Sequence, residues 1–252
     1  MKICRFVNKN SDICYGIAKD GAITEIDGSP FGSYSIKDTT HNLEEVKILA
    51  PCAPSKIVAI GLNYKDHAAE MKKKIPDDPM LFLKPGCSVI GDKDTIKYPS
   101  HMSERVDYEG ELAVIIKKEA KDVSADNAMD FILGYSCLND VTARDLQNKD
   151  IQFTRAKGFD TFAPLGPWIE TELDPFNLEI QSFLNGELKQ LSNTKNLIFN
   201  IPKLIDFISH VMTLYPGDVI STGTPGGIGP MKIGDKVEVK IENIGTLTNY
   251  VG

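Results

Sequence analysis

The chain has 252 residues, of which 42% are hydrophobic and 25% charged, enough apolar material for one large domain or for a small domain followed by a larger one. The formal net charge of −7 argues against a nucleic-acid-binding protein, because the densest basic run, Lys72-Lys73-Lys74, is interpreted as a solvated helix end. No apolar run approaches the roughly 20 residues that span a bilayer, so no membrane partner is expected.

The N-terminal residues predict a small β-rich unit. Predicted strands at residues 13–18 and 22–26 flank the hairpin signal Lys19-Asp20-Gly21. The prolines of Pro51-Cys52-Ala53-Pro54 disfavour both helix and strand pairing, so this stretch is interpreted as a linker. The sequence therefore predicts a small N-terminal β-rich domain over residues 1–52 and a larger domain over residues 53–252.

Strands dominate the elements predicted after the linker. Short apolar stretches bounded by glycine, proline or turn residues predict strands, with Asn185-Gly186 as a hairpin turn between two of them. These strands fall, in chain order, at residues 56–61, 80–84, 112–116, 132–138, 178–184, 187–191, 218–222 and 236–241. The pattern predicts a β-rich α+β fold and not a regular alternation of strands and helices.

Few helices are predicted beside these strands. Asn63 or Asp66 is the expected cap of the first and Ser124 that of the second, because short polar side chains accept hydrogen bonds from the first turn. The first is a short helix within residues 62–71, and the others cover, in chain order, residues 124–131, 141–148 and 201–213. Two ordered loops are predicted at residues 157–167 and 223–229.

An acidic stretch, Asp107-Tyr108-Glu109-Gly110-Glu111, runs directly into the apolar strand 112–116. Side chains alternate along a strand, so its three carboxylates are expected on one face. Such a cluster in a buried strand must be protonated, paired with cations or bound to a metal. We interpret Glu109 and Glu111 as ligands of a divalent cation; the alternative is an edge strand whose acids face water.

A third carboxylate, Asp140, follows the predicted buried strand 132–138. Glu109, Glu111 and Asp140 would form an all-oxygen triad, which favours Mg²⁺, Mn²⁺ or Ca²⁺ over zinc. Three protein ligands leave positions for water and a chelating substrate. The alternative for Asp140 is a helix cap for residues 141–148.

Several further side chains are candidates for catalysis or substrate binding. His67 and Glu70 share a helix face, where a carboxylate can orient an imidazole that takes a proton from water; a plain surface helix is the alternative. Lys157 could stabilise an anionic substrate or enolate, unless it is simply solvated. Arg144 and Gln147 could bind a substrate carboxylate, or form an ordinary helix surface.

The glycine-rich residues 221–229 do not form a phosphate-binding loop. They lack a Gly-Lys-Ser/Thr sequence, and a strand is predicted where such a loop would start a helix. A loop whose amides, including that of Gly223, and whose Thr224 hydroxyl meet a carboxylate is the better interpretation.

Cysteine usage bears on the compartment. The chain has five cysteines, without a Cys-x-x-Cys pair, which indicates free thiols in a reducing environment. The residues Met1-Lys2-Ile3-Cys4-Arg5 lack the apolar core of a signal peptide, so a cytoplasmic location is expected.

Several segments between about residue 55 and residue 251 form one ordered pattern. The first are Gly61-Leu62-Asn63-Tyr64 with His67 and Glu70, Phe82-Leu83-Lys84-Pro85, and Asp107-Tyr108-Glu109-Gly110-Glu111-Leu112. The later ones are Asn139-Asp140-Val141-Thr142-Ala143-Arg144-Asp145, Lys157-Gly158-Phe159-Asp160-Thr161-Phe162 and residues 217–229. Taken together and in this order, these segments resemble the fumarylacetoacetate hydrolase superfamily. Residues 1–50 match that family's variable N-terminal region only in length and β character.

The resemblance implies a mixed, β-rich fold wound into a roll-like barrel, and a homodimer. It also implies Mg²⁺ or Mn²⁺ at the triad, a His67-Glu70 pair on a lid, and Lys157 as the site lysine. Thr224 matches a contact to the substrate carboxylate. One departure is Leu62, where several relatives carry arginine; it weakens the transfer of an exact substrate.

The resulting hypothesis is a divalent-metal-dependent enzyme for small anionic 2-oxo acids. It would cleave a C–C bond through a metal-stabilised enolate, by acylpyruvate hydrolysis or oxaloacetate decarboxylation. The first alternative is an isomerase of a 2-hydroxyhepta-2,4-diene-1,7-dioate or 5-carboxymethyl-2-hydroxymuconate type. A second is a non-enzymatic binding module with a structural cation.

Overall fold

A computed structural model of the chain describes residues 1–70, 72 and 74–252. Met71, at the end of the stretch 62–71 in which a short helix is predicted, and Lys73, in the basic run, lie outside the described residues. Within these ranges, none of the helices is long and apolar enough to cross a membrane.

Strands make up most of the regular structure. The strands of the first half are β1 (Lys2–Val7), β2 (Ile13–Lys19), β3 (Ala22–Gly28), β4 (Tyr34–Asn42), β5 (Lys47–Leu49), β6 (Lys56–Gly61), β7 (Met80–Pro85), β8 (Val89–Ile90), β9 (Thr95–Ile96), β10 (Val106–Tyr108) and β11 (Gly110–Ile116). Those of the second half are β12 (Ile132–Asn139), β13 (Thr142–Ala143), β14 (Ala163–Glu170), β15 (Glu179–Leu184), β16 (Glu187–Asn193), β17 (Val219–Ser221), β18 (Gly229–Met231), β19 (Lys236–Ile241) and β20 (Gly245–Val251).

The helices are short apart from one amphipathic helix near the C-terminus. The α-helices are α1 (Lys65–Glu70), α2 (Arg144–Lys149), α3 (Thr154–Lys157) and α4 (Ile201–Val211). The 3₁₀ helices cover Leu43–Glu45, Gly86–Ser88, Ala125–Phe131 and Thr194–Asn196.

The strands form one large sheet and two smaller ones. The main sheet has the order β4-β3-β2-β1-β14-β12-β11-β17-β6-β7, with β5 paired to β1 and β8 to β14. The second sheet has the order β16-β15-β19-β20-β9, and the small sheet β13-β10-β18. The predicted β-rich fold class is confirmed; across the described residues the sheets stay open and none closes into a barrel.

Strand β11 lies in the interior of the main sheet, between β12 and β17, and all its residues are buried. Leu112 and Val114 share a core cluster with Leu204 and Ile208 of α4, whereas Ala113 packs in a cluster on the other face. Because both faces are covered, the strand reads as a continuous apolar run without alternation.

The hairpins and β6 agree closely with the prediction. Strands β2 and β3 flank the turn at Asp20-Gly21, and β15 and β16 flank Asn185-Gly186. Asn185 and Gly186 have φ values of 53° and 83°, which suit a two-residue hairpin turn. In addition, β1 pairs with β14 at Lys2↔Glu170, so the N-terminal strands extend the main sheet.

Three local predictions were wrong. The acidic strand is interrupted at Glu109, because β10 belongs to the small sheet and β11 to the main sheet. The predicted α-helix 124–131 is a 3₁₀ helix, and Ser124 makes no side-chain capping bond. The predicted loop 157–167 is also shorter, since Lys157 ends α3 and β14 begins at Ala163.

Neither residue predicted to cap α1 does so in the structure, since Asp66 is the second residue of the helix and the Asn63 side chain bonds outside it. The Asp66 carboxylate accepts a hydrogen bond from the His67 amide at 2.8 Å. The Asn63 carboxamide instead donates to Thr222 O at 2.7 Å and accepts from the Phe199 amide at 2.8 Å. Asn63 thus ties the β6–α1 connection to the segment after β17.

Candidate metal centre and active site

The carboxylates of Glu109 and Glu111 lie inside the protein. Glu109 is 6% exposed and Glu111 1% exposed, and β11 is an interior strand. The alternative of a solvated edge strand is therefore excluded. Two buried acids so close in sequence require partners that compensate their lost hydration.

Asp140 reaches the same point from β12. The antiparallel pairing of β11 and β12 sets Gly110 opposite Asn139, and the Asp140 amide donates to Glu109 O at 2.8 Å. One oxygen from each of Glu109, Glu111 and Asp140 lies within 4.8 Å of the other two. Asp140 does not cap α2, whose N-terminal cap is Ala143. The structure thus brings the three predicted ligands together.

Buried lysines neutralise part of this triad. Lys157 Nζ donates to Glu109 Oε2 at 2.8 Å and to Asp140 Oδ2 at 2.5 Å. Lys84 Nζ donates to the other oxygen of Asp140 at 2.5 Å. Burial lowers the pKa of Lys84; it acts the same way on Lys157, but Asp140 and Glu109 outweigh it and raise the Lys157 pKa. Lys157 is therefore a buried ammonium ion and not a solvated side chain.

Arginines occupy the opposite side of Glu109. Arg144 donates from Nε to Asp107 Oδ2 at 2.9 Å, from Nη2 to Glu109 and from Nη1 to Gln147. Arg105 donates to Asp107 Oδ1 at 2.9 Å. The side chains of Arg144 and Gln147 therefore lie in the site, and Asp107 holds two guanidinium groups beside the triad.

The carboxyl groups of Glu109 and Glu111 differ strongly in acidity. For Glu109, burial acts to raise the pKa, but Lys157 and Arg144 outweigh it and hold the pKa at about 2. Burial raises the pKa of Glu111 to about 8, and the charges of Asp140 and Glu109 add to the rise. A further cation near Glu111 would therefore relieve repulsion that the lysines and arginines leave uncompensated.

The donor set of the triad fits a hard divalent ion. All three side chains offer carboxylate oxygens, the ligand type that Mg²⁺ and Mn²⁺ prefer. Within the described residues, the hydrogen bonds to Glu111 end on Oε2, from Ser221 Oγ at 2.5 Å and from the Gly223 amide at 2.8 Å. The other oxygen, Oε1, is thus available to a cation. Glu109, Glu111 and Asp140 would hold the ion.

His67 and Glu70 lie at the rim of the same cleft. Their Nδ1 and Oε2 atoms are 3.3 Å apart, and Glu70 also accepts from the Gly227 amide at 3.2 Å. His67 is buried and lines the cleft, whereas the Glu70 side chain is 52% exposed. The pair is therefore more than an ordinary helix surface.

Thr224 and Gly223 lie beside the triad, but the Thr224 hydroxyl is already engaged. It donates its proton to Gly110 O at 2.9 Å and accepts from Gln190 Nε2 at 2.8 Å. A hydroxyl has one proton to donate. Contact with a substrate carboxylate through this proton would require the bond to Gly110 to break.

The cleft that contains these groups has a volume of about 550 Å³. Its charged lining residues include Arg105, Arg144 and Lys157. Its apolar lining residues are Ile60, Leu62, Met80, Phe82, Phe153 and Ile228. Leu62 has its backbone in the left-handed region, at a φ of 52°. The cleft therefore offers both charged and apolar contacts to a small molecule.

Comparison with known proteins assigns the chain to a family. Residues 56–252 match the family described as fumarylacetoacetate (FAA) hydrolase C-terminal, and residues 1–51 match the family described as Rv2993c-like, N-terminal. The chain belongs to the fumarylacetoacetate hydrolase superfamily. Members of this superfamily are enzymes that include tautomerases, isomerases and hydrolases.

Named relatives in this superfamily carry out related chemistry. Oxaloacetate tautomerase YisK of Bacillus subtilis is 42% identical over 226 residues, which cover 84% of this chain and 75% of YisK. A 5-carboxymethyl-2-hydroxymuconate delta-isomerase from Mycobacterium smegmatis is 44% identical, with a TM-score of 0.94 and coverage of 100% and 99% of the two chains. Maleylpyruvate hydrolase from Sphingobium sp. SYK-6, in complex with manganese(II) and pyruvate, is 29% identical, with a TM-score of 0.81 and coverage of 100% and 98%.

Sequence reasoning missed three residues of this superfamily site: Lys84, Arg105 and Gln190. A signal existed for Lys84, because it ends the predicted strand 80–84 and belongs to one of the segments that carry the resemblance. Arg105 stands two residues before Asp107 and was a candidate partner for that carboxylate. Nothing local marked Gln190, whose partners lie 34 to 80 positions away in the chain.

Proposed function

We propose that this member of the superfamily is a divalent-metal-dependent enzyme that moves a proton at the carbon beside the ketone of a small 2-oxo dicarboxylic acid. Its reaction would be a keto–enol tautomerisation or a related isomerisation. The observation that carries the proposal is the triad of Glu109, Glu111 and Asp140, whose oxygens approach within 4.8 Å beside the Lys157 ammonium. The tautomerase and isomerase activities of the named relatives support it.

Charge balance favours a substrate with two negative charges. Counted as formal charges, four carboxylates balance four cations, each of which contacts Asp107, Glu109 or Asp140, so the cluster sums to zero. The carboxylates are those of Asp107, Glu109, Glu111 and Asp140, and the cations are Lys84, Arg105, Arg144 and Lys157. A divalent ion would leave two positive charges for a dicarboxylate to neutralise. When bound, the ion would supply Lewis acidity toward the 2-oxo oxygen.

Lys157 would stabilise the negative charge that develops during enolisation. Its ammonium is buried, lies 5.1 Å from the centre of the Phe82 ring and stays protonated because Asp140 and Glu109 raise its pKa. A fixed cation in such a low-dielectric setting acts strongly on developing charge without reorganisation. Arg144 and Gln147, which line the same cleft, would orient the substrate carboxylate.

His67 is the proposed base. Glu70 contacts Nδ1, so Nδ1–H donates to this carboxylate and Nε2 is left as the proton acceptor. From the rim of the cleft, Nε2 would take the proton from the carbon beside the ketone and return it at the other end of the enol system.

The second candidate function is C–C bond cleavage, and the same pair of residues favours it. A His67 that Glu70 orients could deprotonate water for attack on the distal carbonyl of an acylpyruvate. Oxaloacetate decarboxylation would use the same cluster without a base. Maleylpyruvate hydrolysis by a relative supports cleavage on this fold.

A substrate panel tests both candidates. The purified protein is assayed with Mg²⁺ or Mn²⁺ on enol-oxaloacetate, a hydroxymuconate-type dienedioate, acetylpyruvate and fumarylpyruvate. We expect proton transfer on the first two to exceed cleavage of the last two. Predominant cleavage would favour the second candidate. EDTA should abolish turnover with little change in melting temperature; unfolding without turnover of any substrate would instead indicate a structural cation.

Three broader assignments accompany this proposal. We propose a division into residues 1–52 and 53–252, a homodimer, and a cytoplasmic location. Limited proteolysis between the two domains and light scattering in solution test the first two. Fractionation of cells that produce the untagged protein tests the third.

A further inference from the structure

Gln190 is a buried amide in an otherwise accessible strand. It lies in β16, the edge strand of the second sheet, where its neighbours Leu188 and Leu191 are exposed. Gln190 itself has no solvent exposure. A buried carboxamide must satisfy its donors and acceptor within the protein. Its partners therefore show what the side chain does there.

All three hydrogen bonds of the Gln190 carboxamide reach the proposed site. Its Oε1 accepts from the Gly110 amide at 2.9 Å. Its Nε2 donates to Thr224 Oγ1 and to Pro225 O, both at 2.8 Å. One side chain from the second sheet thus joins the strand that carries the metal ligands to the glycine-rich loop.

These bonds close a ring through the residue between the two glutamates. Gly110 donates to Gln190, Gln190 donates to Thr224, and Thr224 donates back to Gly110 O at 2.9 Å. A β-carbon on Gly110 would lie 2.2 Å from Ser182 Oγ and 3.3 Å from Gln190 Oε1. Glycine at this position is thus what lets the second sheet approach so closely.

We propose that Gln190 is a positioning residue for the proposed metal centre and for the adjoining loop. By holding both Gly110 and Thr224, it keeps Glu109 and Glu111 in register with Gly223, whose amide bonds Glu111 at 2.8 Å. This inference rests on the proposed function for its link to catalysis. Its link to cation binding stands on the geometry of the ring.

The same strand also supports the loop at a second point. A β-carbon on Gly227 would lie 2.3 Å from Lys189 O, so the loop backbone packs directly on β16. Gly227 in turn donates to Glu70 at 3.2 Å. Strand β16 therefore supports Gly110, between the two glutamate ligands, and also Gly227, which bonds the Glu70 that orients His67.

The test compares Gln190→Met with Gln181→Met in the full-length protein. Methionine keeps the volume of glutamine and removes its hydrogen bonds. Gln181 is a matched control, because it lies on the adjacent strand β15 and its Nε2 bonds only to Glu179, at 2.9 Å, among the described residues. The probe is Mn²⁺ alone, with its dissociation constant followed by electron paramagnetic resonance and the melting temperature by circular dichroism.

We expect Gln190→Met to weaken Mn²⁺ binding by about ten- to a hundredfold, the range typical of partners that orient metal ligands. Gln181→Met should bind Mn²⁺ like the wild type. If the wild type turns over any substrate of the panel, the Mn²⁺ concentration for half-maximal activity should rise in parallel, and saturating Mn²⁺ should restore part of kcat. A purely structural role would lower the active fraction at an unchanged Mn²⁺ requirement.

The outcomes separate this inference from the proposed function. If Gln190→Met binds Mn²⁺ more weakly and the wild type turns over none of the substrates, the positioning role of Gln190 is supported and the proposed function is rejected. If Gln190→Met binds Mn²⁺ as tightly as an active wild type does, the positioning role of Gln190 is rejected and the proposed function is unaffected. If Gln190→Met does not fold, Gln190→Glu carries the same test, since it keeps an acceptor for Gly110 but loses the donor to Thr224. Loss of folding in both, with Gln181→Met folded, would also overturn the positioning role.

Discussion

The triad and His67 of helix α1 line one cleft but are held in different ways. Glu111 lies in β11 and Asp140 directly follows β12, both of which are interior strands of the main sheet. Each of these carboxylates accepts hydrogen bonds from at least two protein donors within 2.8 Å. Helix α1 has six residues, and its Glu70 is half exposed with contacts of 3.2 and 3.3 Å. The groups that would stabilise charge are thus preformed, whereas the groups that would carry a proton lie on a lightly held element.

The largest expected effect is on the triad side. Glu109→Gln preserves shape but removes a charge that pairs with both Lys157 and Arg144. We expect metal-dependent turnover to be abolished and stability to fall by roughly 3–5 kcal/mol, because a buried ion pair is broken. Substrate assays with Mn²⁺ and urea unfolding measure the two losses. Full activity in this variant would remove Glu109 from the metal centre.

A smaller and more selective loss is expected on the α1 side. His67→Ala should lower tautomerisation and hydrolysis by about 10²–10⁴-fold, the usual contribution of a positioned base, and spare oxaloacetate decarboxylation. The urea midpoint should fall less than in Glu109→Gln, because the Glu70 partner of His67 is 52% exposed and no buried ion pair is broken. Because the three rates are measured on one preparation, a difference in the amount of active protein cannot mimic a selective loss. Equal loss of all three would show that His67 does not act as a base.

Lys157 separates charge stabilisation from metal binding. Lys157→Met should lower kcat by about 10²–10³-fold, as removal of a preorganised donor does. Mn²⁺ affinity should not weaken, because the variant removes a cation that competes for Glu109 and Asp140. Titration calorimetry with Mn²⁺ and steady-state kinetics give the two values. Parallel loss of affinity and kcat would argue that Lys157 only maintains the shape of the site.

The smallest effect concerns the scaffold behind the triad. Asp218, before β17, accepts from Ser55 and Lys56, and although burial opposes it, these partners keep its pKa below the usual range. A carboxyl with a lowered folded-state pKa adds stability above its unfolded pKa of about 3.9, and this stability is lost as the pH falls through the folded value.

Asp218→Asn should therefore destabilise the protein by about 1–3 kcal/mol at pH 7, through the loss of charged hydrogen bonds. The difference from wild type should shrink below about pH 4. The control is Glu70→Gln in helix α1, where the side chain is 52% exposed. This variant should leave the unfolding free energy unchanged at pH 7 and at pH 3.5. Urea unfolding at pH 7 and pH 3.5 measures this contrast. A difference that persists in acid would assign the effect of Asp218 to shape and not to charge.

Much of the scaffold could be predicted because its signals are local. The apolar run of β6 ends at a glycine, and the Asn185-Gly186 turn requires positive φ angles that few residues adopt. The interruption at Glu109 could not be predicted. It arises because β10 pairs with β13 and β18 while β11 pairs with β12 and β17, and both partner sets come from distant parts of the chain.

By itself, the sequence determined which residue types were available for chemistry: a pair of glutamates before a buried strand, an aspartate after another, and a histidine and a glutamate on one helical turn. Hydration cost implies that such acids, once buried, are protonated or need cations. The sequence offered Lys157 as one such cation, and only the tertiary structure showed that it contacts Glu109 and Asp140 and that Lys84 joins it. Lys84 and Lys157 lie 56 and 17 positions from Asp140, and Gln190 lies 80 positions from Gly110. Contacts of this kind depend on the order of strands in the sheets, which local residue preferences do not encode.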